Sequence, residues 1–282
     1  MNFEREKKIS RLLLQTARFH ESYKNGYLKV PIEMIEFAFK ERKISEVSTY
    51  LACQSIYSGK ADLTAQTKNR IAHTLDVKPR TIDRHFDYLL DRDWIGKDSK
   101  NRWYFFRGLD WIHKIEGFKY TQSALLFPDQ LKELKGFLIG AIISNFIHKR
   151  IKESRETGTD LKIGRSEHAC FPVSLTIIEK LFNVKTKTAF SYRKLAEKHG
   201  FIKMYPNLKQ VGGITSKEVI HLKVNDIERV NLPLFGSSDT LTISPKQLRF
   251  SNGYIYAQLP NLITPKVQIG KRNMNRLKAL TP

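Results

Sequence analysis

The chain has 282 residues, of which 41% are hydrophobic and 11% aromatic. This length and composition suit two domains of ordinary size with cores of their own, which excludes a disordered tail. Lys and Arg number 49 against 28 Asp and Glu, so the formal net charge is +21. Because protein cations release the counterions condensed on phosphates, such a surplus predicts a polyanionic partner, and nucleic acid is the first candidate.

Cysteine usage and apolar runs restrict the cellular setting. Cys53 and Cys170 are the only cysteines, and their spacing suits neither a disulfide framework nor a zinc module, so two buried free thiols are expected. The charged N-terminus is not expected to be a signal peptide. The most apolar run, residues 137–147, is shorter than the roughly 20 residues that a membrane-spanning helix requires. We therefore expect a cytoplasmic, nucleoid-associated protein with no membrane partner.

The chain opens with a predicted helical extension over residues 1–27, which is charged and has its apolar residues on one side. The first domain is predicted over residues 28–118. Its leading elements are a short extended segment and two helical stretches, over residues 27–31, 32–39 and 44–57.

A pair of helices follows. The first is predicted over residues 64–75, with Asp62 or Thr64 as its N-cap. A tight turn at Asp76 leads to a second helix over residues 79–92, which begins with a proline because the first helical turn needs no N–H there.

Behind this helix pair the pattern changes to alternation with a period of two. Residues 98–101 are polar, and residues 102–106 are rich in strand-forming side chains. A strand, a polar tip and a returning strand are therefore predicted. A strand pair directly behind a helix-turn-helix is the arrangement of a winged helix.

The second domain is predicted over residues 125–226 with the same order of elements. It begins with a long helix over residues 131–151, followed by a polar loop over residues 152–165. A positioning helix ends near Phe182, and a second helix over residues 186–199 ends at Gly200, where a left-handed backbone is expected.

The cap, turn and wing of this second domain are also predicted. Ser174 or Thr176 is the expected N-cap of the positioning helix, and Asn183 is the expected turn residue. A longer wing is predicted from a strand over residues 201–205 and a returning strand over residues 219–224.

The last segment, residues 227–282, is rich in proline and is predicted to be irregular and basic. Its strand-like runs, residues 241–243 and 254–257, can add to a sheet edge. From Lys266 onward it has no acidic residue, so it is either an arm on phosphates or a solvated terminus. The predicted fold class is thus α+β, mainly α with small β wings, comprising two tandem winged-helix domains between the N-terminal extension and the C-terminal arm.

The two helix pairs are copies of one motif in the sequence. Residues 71–95 align without a gap with residues 178–202, and the identities fall at positions that such a motif constrains. The identical pairs are Ile71 and Ile178, Val77 and Val184, Lys78 and Lys185, Thr81 and Thr188, and Ile95 and Ile202.

In a helix-turn-helix the second helix enters the major groove of DNA, whose base edges present distinguishable donors and acceptors. We therefore predict that the outward residues of both second helices, the wings and the tail contact duplex DNA. These residues are Lys78, Arg80, Thr81, Arg84, Lys97, Lys100 and Arg102 in the first unit, Lys185, Lys187, Thr188, Ser191, Lys194, Lys203 and Lys209 in the second unit, and Lys271 and Arg272 in the tail.

Different side chains suit different contacts. Arg80 and Arg84 are expected to make bidentate contacts to guanine, whereas the lysines of the second unit are point charges suited to phosphate. The hydroxyls of the second unit can donate to either. Arg84 has an alternative, an ion pair with Asp83 or Asp87 of its own helix. Because acids repel phosphate, the first unit is expected to be the less basic, and protein contact, such as a homodimer, remains open for it.

No catalytic or nucleotide-binding pattern is apparent. The chain lacks the phosphate-binding loop of ATP-using proteins and the paired histidines of a nicking relaxase. Residues 168–170 are a weak metal-site candidate, and no nucleophile with an adjacent base stands out. The sequence predicts a binding protein and not an enzyme, with no cofactor and no metal.

Two winged helices in one basic chain with a helical N-terminal extension resemble the initiator proteins of theta-replicating plasmids, over about residues 30–225. The resemblance implies that both units bind repeated origin sequences in successive major grooves and that a dimer represses its own gene. The leucine-rich dimerising element of that family is not evident here. Two alternatives stay open: a transcription regulator of a phage or mobile element, and an accessory protein that docks replication, recombination or transcription proteins.

Overall fold

The computed structural model describes residues 26–57, 59–62, 64–98, 100, 102–118, 122–157, 170–211, 217, 230–233, 240–252 and 254–271. Within them the fold is α+β, with helices and small antiparallel sheets. The N-terminal extension predicted over residues 1–27 lies almost wholly outside the described residues. The tail beyond residue 271 also lies outside them.

The helices and strands are numbered in chain order. The helices are α1 (Ile32–Lys40), α2 (Ile44–Ile56), α3 (Ala65–Thr74), α4 (Pro79–Asp91), α5 (Leu109–Glu116), α6 (Leu134–Glu156), α7 (Leu175–Phe182) and α8 (Thr186–Lys198). The strands are β1 (Leu28–Pro31), β2 (Lys60–Asp62), β3 (Ile95–Lys97), β4 (Trp103–Phe106), β5 (Gln122–Leu126), β6 (Phe171–Pro172), β7 (Ile202–Val211), β8 (Val230–Pro233), β9 (Thr240–Ile243), β10 (Leu248–Ser251), β11 (Tyr254–Pro265) and β12 (Ile269–Lys271).

Local signals in the sequence build the first helix pair, α3 and α4. The side chain of Thr64 accepts a hydrogen bond from the backbone N–H of Thr67 at 3.3 Å, which satisfies one of the free donors in the first turn of α3. Pro79 occupies the start of α4, where its missing N–H removes no helical hydrogen bond. The predicted bounds of both helices are confirmed to within one residue.

A three-stranded antiparallel sheet supports this helix pair. Its strand order is β2-β4-β3, and Tyr104 of β4 lies between Ala61 and Lys97. Tyr104 and Phe106 are buried, whereas the alternating side chains of the same strand are exposed. The ring of Phe86 from α4 packs edge-on against that of Tyr104, with centroids 4.6 Å apart. One face of the sheet thus carries α4 and the other faces outward.

The second unit repeats this order of elements. α6 is followed by β6, α7, α8 and β7, and β11 pairs with both β6 and β7, as β4 pairs with β2 and β3. Ser174, one of the two predicted caps, accepts a hydrogen bond from the backbone N–H of Ile177 at 3.2 Å. Gly200 follows α8 with a φ of 74°, as predicted.

The structure shows a partner of β7 that the sequence did not predict, and it leaves the predicted returning strand untested. Residues 219–224 lie outside the described residues. β7 runs to Val211, well past the expected end at residue 205, and pairs with β11 over most of its length. The chain between them, residues 212–253, includes the antiparallel pair of β8 and β9 and the edge strand β10.

The expectation of an irregular segment over residues 227–282 is therefore wrong for the described residues, although the strand-like runs at 241–243 and 254–257 are confirmed within β9 and β11. The prolines misled the prediction because they sit where a strand needs no donor. Pro233 and Pro265 end their strands. Pro245 begins a 3-10 turn, and Pro260 lies in a register irregularity of β11 between Leu259 and Leu262.

Two other features were not predicted. α5 follows β4 directly, and β1, β5 and β12 form a further three-stranded sheet in the order β1-β5-β12. The pairing of Gln122 with Lys271 fixes the backbone at the start of the basic tail.

The two units share one continuous core of buried side chains. The ring of Phe39 in α1 packs against that of Phe182 in α7 at a centroid distance of 4.6 Å, and against Tyr192 of α8 at 5.7 Å. α6 approaches the end of α8 closely, because a Cβ built on Gly140 would lie 2.5 Å from the Cβ of Phe201. The predicted domains are therefore separate in sequence and joined in space.

The two cysteines agree in part with the prediction of buried free thiols. Both cysteines are free, and Cys53 is buried as predicted, whereas Cys170 is only half-buried. Burial raises the pKa of the Cys53 thiol, which keeps it protonated.

Among the described residues, no helix combines the length and apolar character that a bilayer crossing requires.

Candidate nucleic-acid interface

The turn between the paired helices has the same backbone geometry in both units. Asp76 and Asn183 adopt left-handed conformations, with φ of 52° and 50°. The N–H of the following valine donates to the fifth carbonyl back in each case, Val77 to Ala72 at 2.9 Å and Val184 to Glu179 at 3.1 Å. Asn and Asp tolerate this conformation better than other side chains with a Cβ, which accounts for their place at the turn.

The helices after these turns also correspond residue by residue. α4 and α8 each have 13 residues. The backbone N–H of Thr81 donates to the Lys78 carbonyl at 2.8 Å, and that of Thr188 donates to the Lys185 carbonyl at 2.9 Å. The sequence alignment is therefore confirmed as a structural repeat, in which each residue of the second unit lies 107 positions after its counterpart, as Asn183 does after Asp76.

The outward side of α4 is open to solvent. Its apolar side chains, Ile82, Phe86 and Leu89, are buried. Of the predicted contact residues, Lys78, Arg80 and Arg84 are exposed and Thr81 is half-buried. The helix thus presents two arginines at one end of an uncovered face.

The acidic residues of α4 do not engage Arg84. Asp83 pairs with Lys68 of α3 instead, so this ion pair crosses between the two helices. Asp93, just after α4, accepts hydrogen bonds from Arg107 and Trp111. Among the described residues no ion pair involves the Arg84 guanidinium, so the alternative in which its own helix holds it is not observed. Asp87 and Asp91 remain exposed, and α4 is the less basic of the two helices.

α8 presents a wider and more cationic face. Only Ala189 and Ala196 of this helix are buried. The predicted contact residues Lys185, Lys187, Ser191 and Lys194 are exposed, and Thr188 is half-buried.

One predicted role on α8 needs correction. The Ser191 hydroxyl donates to the Lys187 carbonyl one turn back, at 3.0 Å. Its proton is therefore engaged, and the side chain offers acceptor sites where the sequence analysis expected a donor. This back-bonding is common for serine within helices.

One residue at the centre of this face was not predicted from the sequence. Phe190 is 39% exposed, and the ammonium of Lys194 and the guanidinium of Arg193 lie 4.7 and 5.6 Å from its ring centroid. Aromatic residues in helices are assigned to the core by default. The alignment of the two helix pairs could have predicted this exposure, because Phe190 aligns with the outward residue Asp83.

The strands behind each helix pair, which were predicted as wings, carry further cations. In the first of these predicted wings Lys97, Lys100 and Arg102 are exposed. The tip is held by Asp98, whose carboxylate accepts the backbone N–H of Trp103 at 2.9 Å, and this bond, together with that from the Arg102 N–H, lowers the pKa of Asp98.

In the second wing Lys203 and Lys209 are exposed on β7, and the ammonium of Lys203 lies 5.1 Å from the Tyr205 ring centroid. Lys271 belongs to β12, and Arg272 lies outside the described residues. The cations of both predicted wings are therefore exposed at the surface.

A groove of about 1290 Å³ separates the start of α8 from the turn between α1 and α2. Lys185 and Thr188 line it together with Lys40, Arg42 and Lys135, and acidic residues line it equally. The acids are Glu33, Glu36, Glu41 and Glu116. Because these charges balance, the groove is a weaker candidate for phosphate binding than the open faces of α4 and α8.

No group of three or more His, Cys, Asp or Glu side chains is placed to hold a metal ion in the part of the chain that the structure describes. The weak candidate at His168 lies outside that part. Comparison of the chain with protein-family models, with curated proteins and with solved structures gives no match.

Proposed function

We propose that the protein binds duplex DNA in a sequence-specific manner through two winged-helix units. The observation that carries this proposal is the repeated arrangement of turn, exposed helix and strand pair, in which α4 and α8 have equal length and equivalent backbone bonds. In such a unit the second helix lies in the major groove and the wing lies beside it on the backbone. Arg80 and Arg84 would read bases, and the α8 lysines would bind phosphates.

The charge distribution supports a phosphate partner. Lys185, Lys187 and Lys194 are exposed, and no ion pair among the described residues engages them. Exposed cations without acidic partners bind a polyanion with the most favourable free energy, because binding releases the counterions condensed on it. The net charge of +21 adds long-range attraction.

The shared core supports a bipartite site. Since the Phe39 and Phe182 rings pack together across the two units, the units hold a fixed relative orientation, and a fixed spacing between two half-sites follows. We propose that the protein is a replication initiator of a plasmid or mobile element, which acts as a binding protein without catalytic chemistry of its own. The second candidate, a transcription regulator, shares the same bipartite binding.

The experiment that tests duplex binding is a titration of a labelled duplex at a series of salt concentrations. If about 6 to 10 phosphates are contacted, the logarithm of the affinity falls with the logarithm of salt at a slope of about −5 to −9. Lys187→Ala should make this slope shallower by about one, whereas Lys132→Ala, an exposed lysine on the turn before α6, should leave it unchanged. A slope near zero for the unmodified protein would exclude the proposal.

Strand opening distinguishes the two candidate roles. An initiator should make an A·T-rich segment beside its binding site reactive to permanganate, which oxidises unpaired thymines. A regulator should protect its site and leave the neighbouring segment unreactive. The same footprint on DNA without the site controls for opening by supercoiling alone.

A further inference from the structure

The outward face of the first sheet displays three aromatic rings. Trp103 and Phe105 alternate with the buried residues of β4 and are 38% and 40% exposed, and Trp111 of α5 is 42% exposed. Exposed tryptophans are unusual because their large rings gain much from burial. Since Tyr104 packs on Phe86 of α4 from the opposite side, this aromatic face points away from the proposed duplex-binding helix.

Cations lie among these rings. The Lys60 ammonium is 5.0 Å from the Trp103 ring centroid, and the Arg107 guanidinium is 5.0 Å from that of Trp111. Opposite Phe105 the strand β3 has Gly96, and the Arg107 guanidinium lies over it, 3.5 Å from where a Cβ would stand. Because Gly96 has no side chain, the guanidinium can lie over this point of the sheet beside Phe105.

The acids beside this face are already engaged. Asp93 accepts from the Arg107 guanidinium and from the Trp111 indole N–H, both at 3.0 Å. Asp98 accepts backbone N–H groups of the wing, and Asp62 accepts from the hydroxyls of Thr64 and Thr67. Lys60, at the edge of the face, is exposed and has no ion pair among the described residues. Arg107 neutralises Asp93, whereas Asp62 and Asp98 bind neutral donors and keep their charge. The cations Lys60, Lys100 and Arg102 still exceed these two carboxylates by one positive charge.

We propose that this face binds single-stranded nucleic acid, with bases stacked on Trp103, Phe105 and Trp111 and the backbone passing Lys60 and the wing-tip cations Lys100 and Arg102. Exposed rings flanked by cations are what a single strand requires, because bases offer flat π faces and phosphates offer charge. A second copy of the chain fits less well, since each copy carries a charge of +21. This site differs from the duplex interface in its ligand and in the face that carries its rings, and it shares only the tip cations Lys100 and Arg102 with the predicted duplex contacts.

The test compares three labelled 12-mers by fluorescence anisotropy: oligothymidylate, an abasic strand with the same phosphates, and a duplex. The unmodified protein should bind oligothymidylate about tenfold or more tightly than the abasic strand, because only the former can stack. Trp103→Ala and Phe105→Ala should each weaken oligothymidylate binding about tenfold and leave duplex affinity unchanged. The control is Phe250→Ala, which removes a ring that is 55% exposed on the edge strand β10.

Three outcomes would overturn the proposal. Equal affinity for the abasic and thymidine strands would mean that phosphates alone are recognised. Unchanged oligothymidylate affinity in both variants, with melting temperatures showing that they fold, would place the single-strand site elsewhere. A dimer in sedimentation that Trp103→Ala dissociates would make the face a protein interface. Loss of duplex binding in the α4 and α8 variants leaves this result unaffected, so the two proposals fail separately.

Discussion

Asp76 and Asn183 hold the same left-handed backbone conformation, φ of 52° and 50°, at equivalent points of two copies of one turn. Each is followed by a valine whose N–H closes the turn on the helix before it. Because the turn sets the angle at which the next helix leaves, this conformation determines where α4 and α8 point.

The turn conformation predicts the effect of substitutions at Asn183. Asn183→Val should lower the free energy of unfolding by about 1–2 kcal/mol, because a β-branched side chain is strained at positive φ. Asn183→Gly should be tolerated, since glycine adopts this conformation freely. Urea unfolding followed by circular dichroism measures both. Equal losses for the two variants would contradict the role assigned to φ.

The close approach of α6 to Phe201 predicts that Gly140→Ala destabilises the protein by about 1–3 kcal/mol. The added Cβ would meet the Cβ of Phe201 at 2.5 Å, an atom near the backbone that cannot swing away. Gly108→Ala is the matched control, because a Cβ at Gly108 has no neighbour within 4 Å. Thermal unfolding of both variants checks this prediction. A stable Gly140→Ala protein would mean that α6 and the end of α8 are less tightly packed than described.

Because His85 is buried, we expect the protein to lose stability in mild acid. The side chain is 7% exposed, and its Nδ1 lies 2.7 Å from the Thr49 hydroxyl. Burial lowers the pKa of His85 below its ordinary value of 6.5, against a smaller opposite effect of Glu46.

Because the folded state favours the neutral ring, the unfolded chain takes up the proton first as the pH falls below about 6.5. The melting temperature should therefore decrease from pH 7.5 to pH 5.5 by an amount that His85→Asn reduces. This substitution removes the titrating group and keeps a polar atom near Thr49. An identical pH dependence in both proteins would show that His85 is not responsible.

We expect the ring of Phe190 to contact a thymine methyl group. This prediction depends on the proposed insertion of α8 in the major groove. The exposed ring lies between Lys187 and Lys194 on the outward side of the helix, and apolar side chains read the thymine methyl in that groove. Replacing thymines of the selected site by deoxyuridine, one at a time, should weaken the unmodified protein at one position. Phe190→Ala should lose that sensitivity. If no uracil position matters to the unmodified protein, Phe190 does not contact thymine.

The local part of the fold was predictable from the sequence. The cap at Thr64, the proline at the start of α4, the turn at Asn183 and the glycine after α8 all act within a few residues. Thr64, Asn183 and Gly200 help to satisfy backbone groups that the adjoining helix leaves free, and Pro79 removes one such N–H. For this reason the bounds of these helices agree with the structure almost to the residue.

Pairings between distant segments were not predictable in the same way. β7 pairs with β11 across residues 212–253, and nothing near β7 indicates which later strand completes its sheet. The ion pair of Asp83 with Lys68 was missed because the two residues lie on different helices. Exposure of Phe190 was missed because composition alone assigns an aromatic ring to the core.

The most direct test of the central claim is selection of binding sites from a library of random duplexes, repeated with one variant of each helix. The repeat of α4 and α8 predicts a recovered site with two half-sites at a fixed spacing. Arg84→Ala should relax the sequence of one half-site, whereas Lys185→Ala should weaken binding to all sequences without changing either half. A selected pool with no enriched sequence, or with a single half-site that neither substitution affects, would contradict the account.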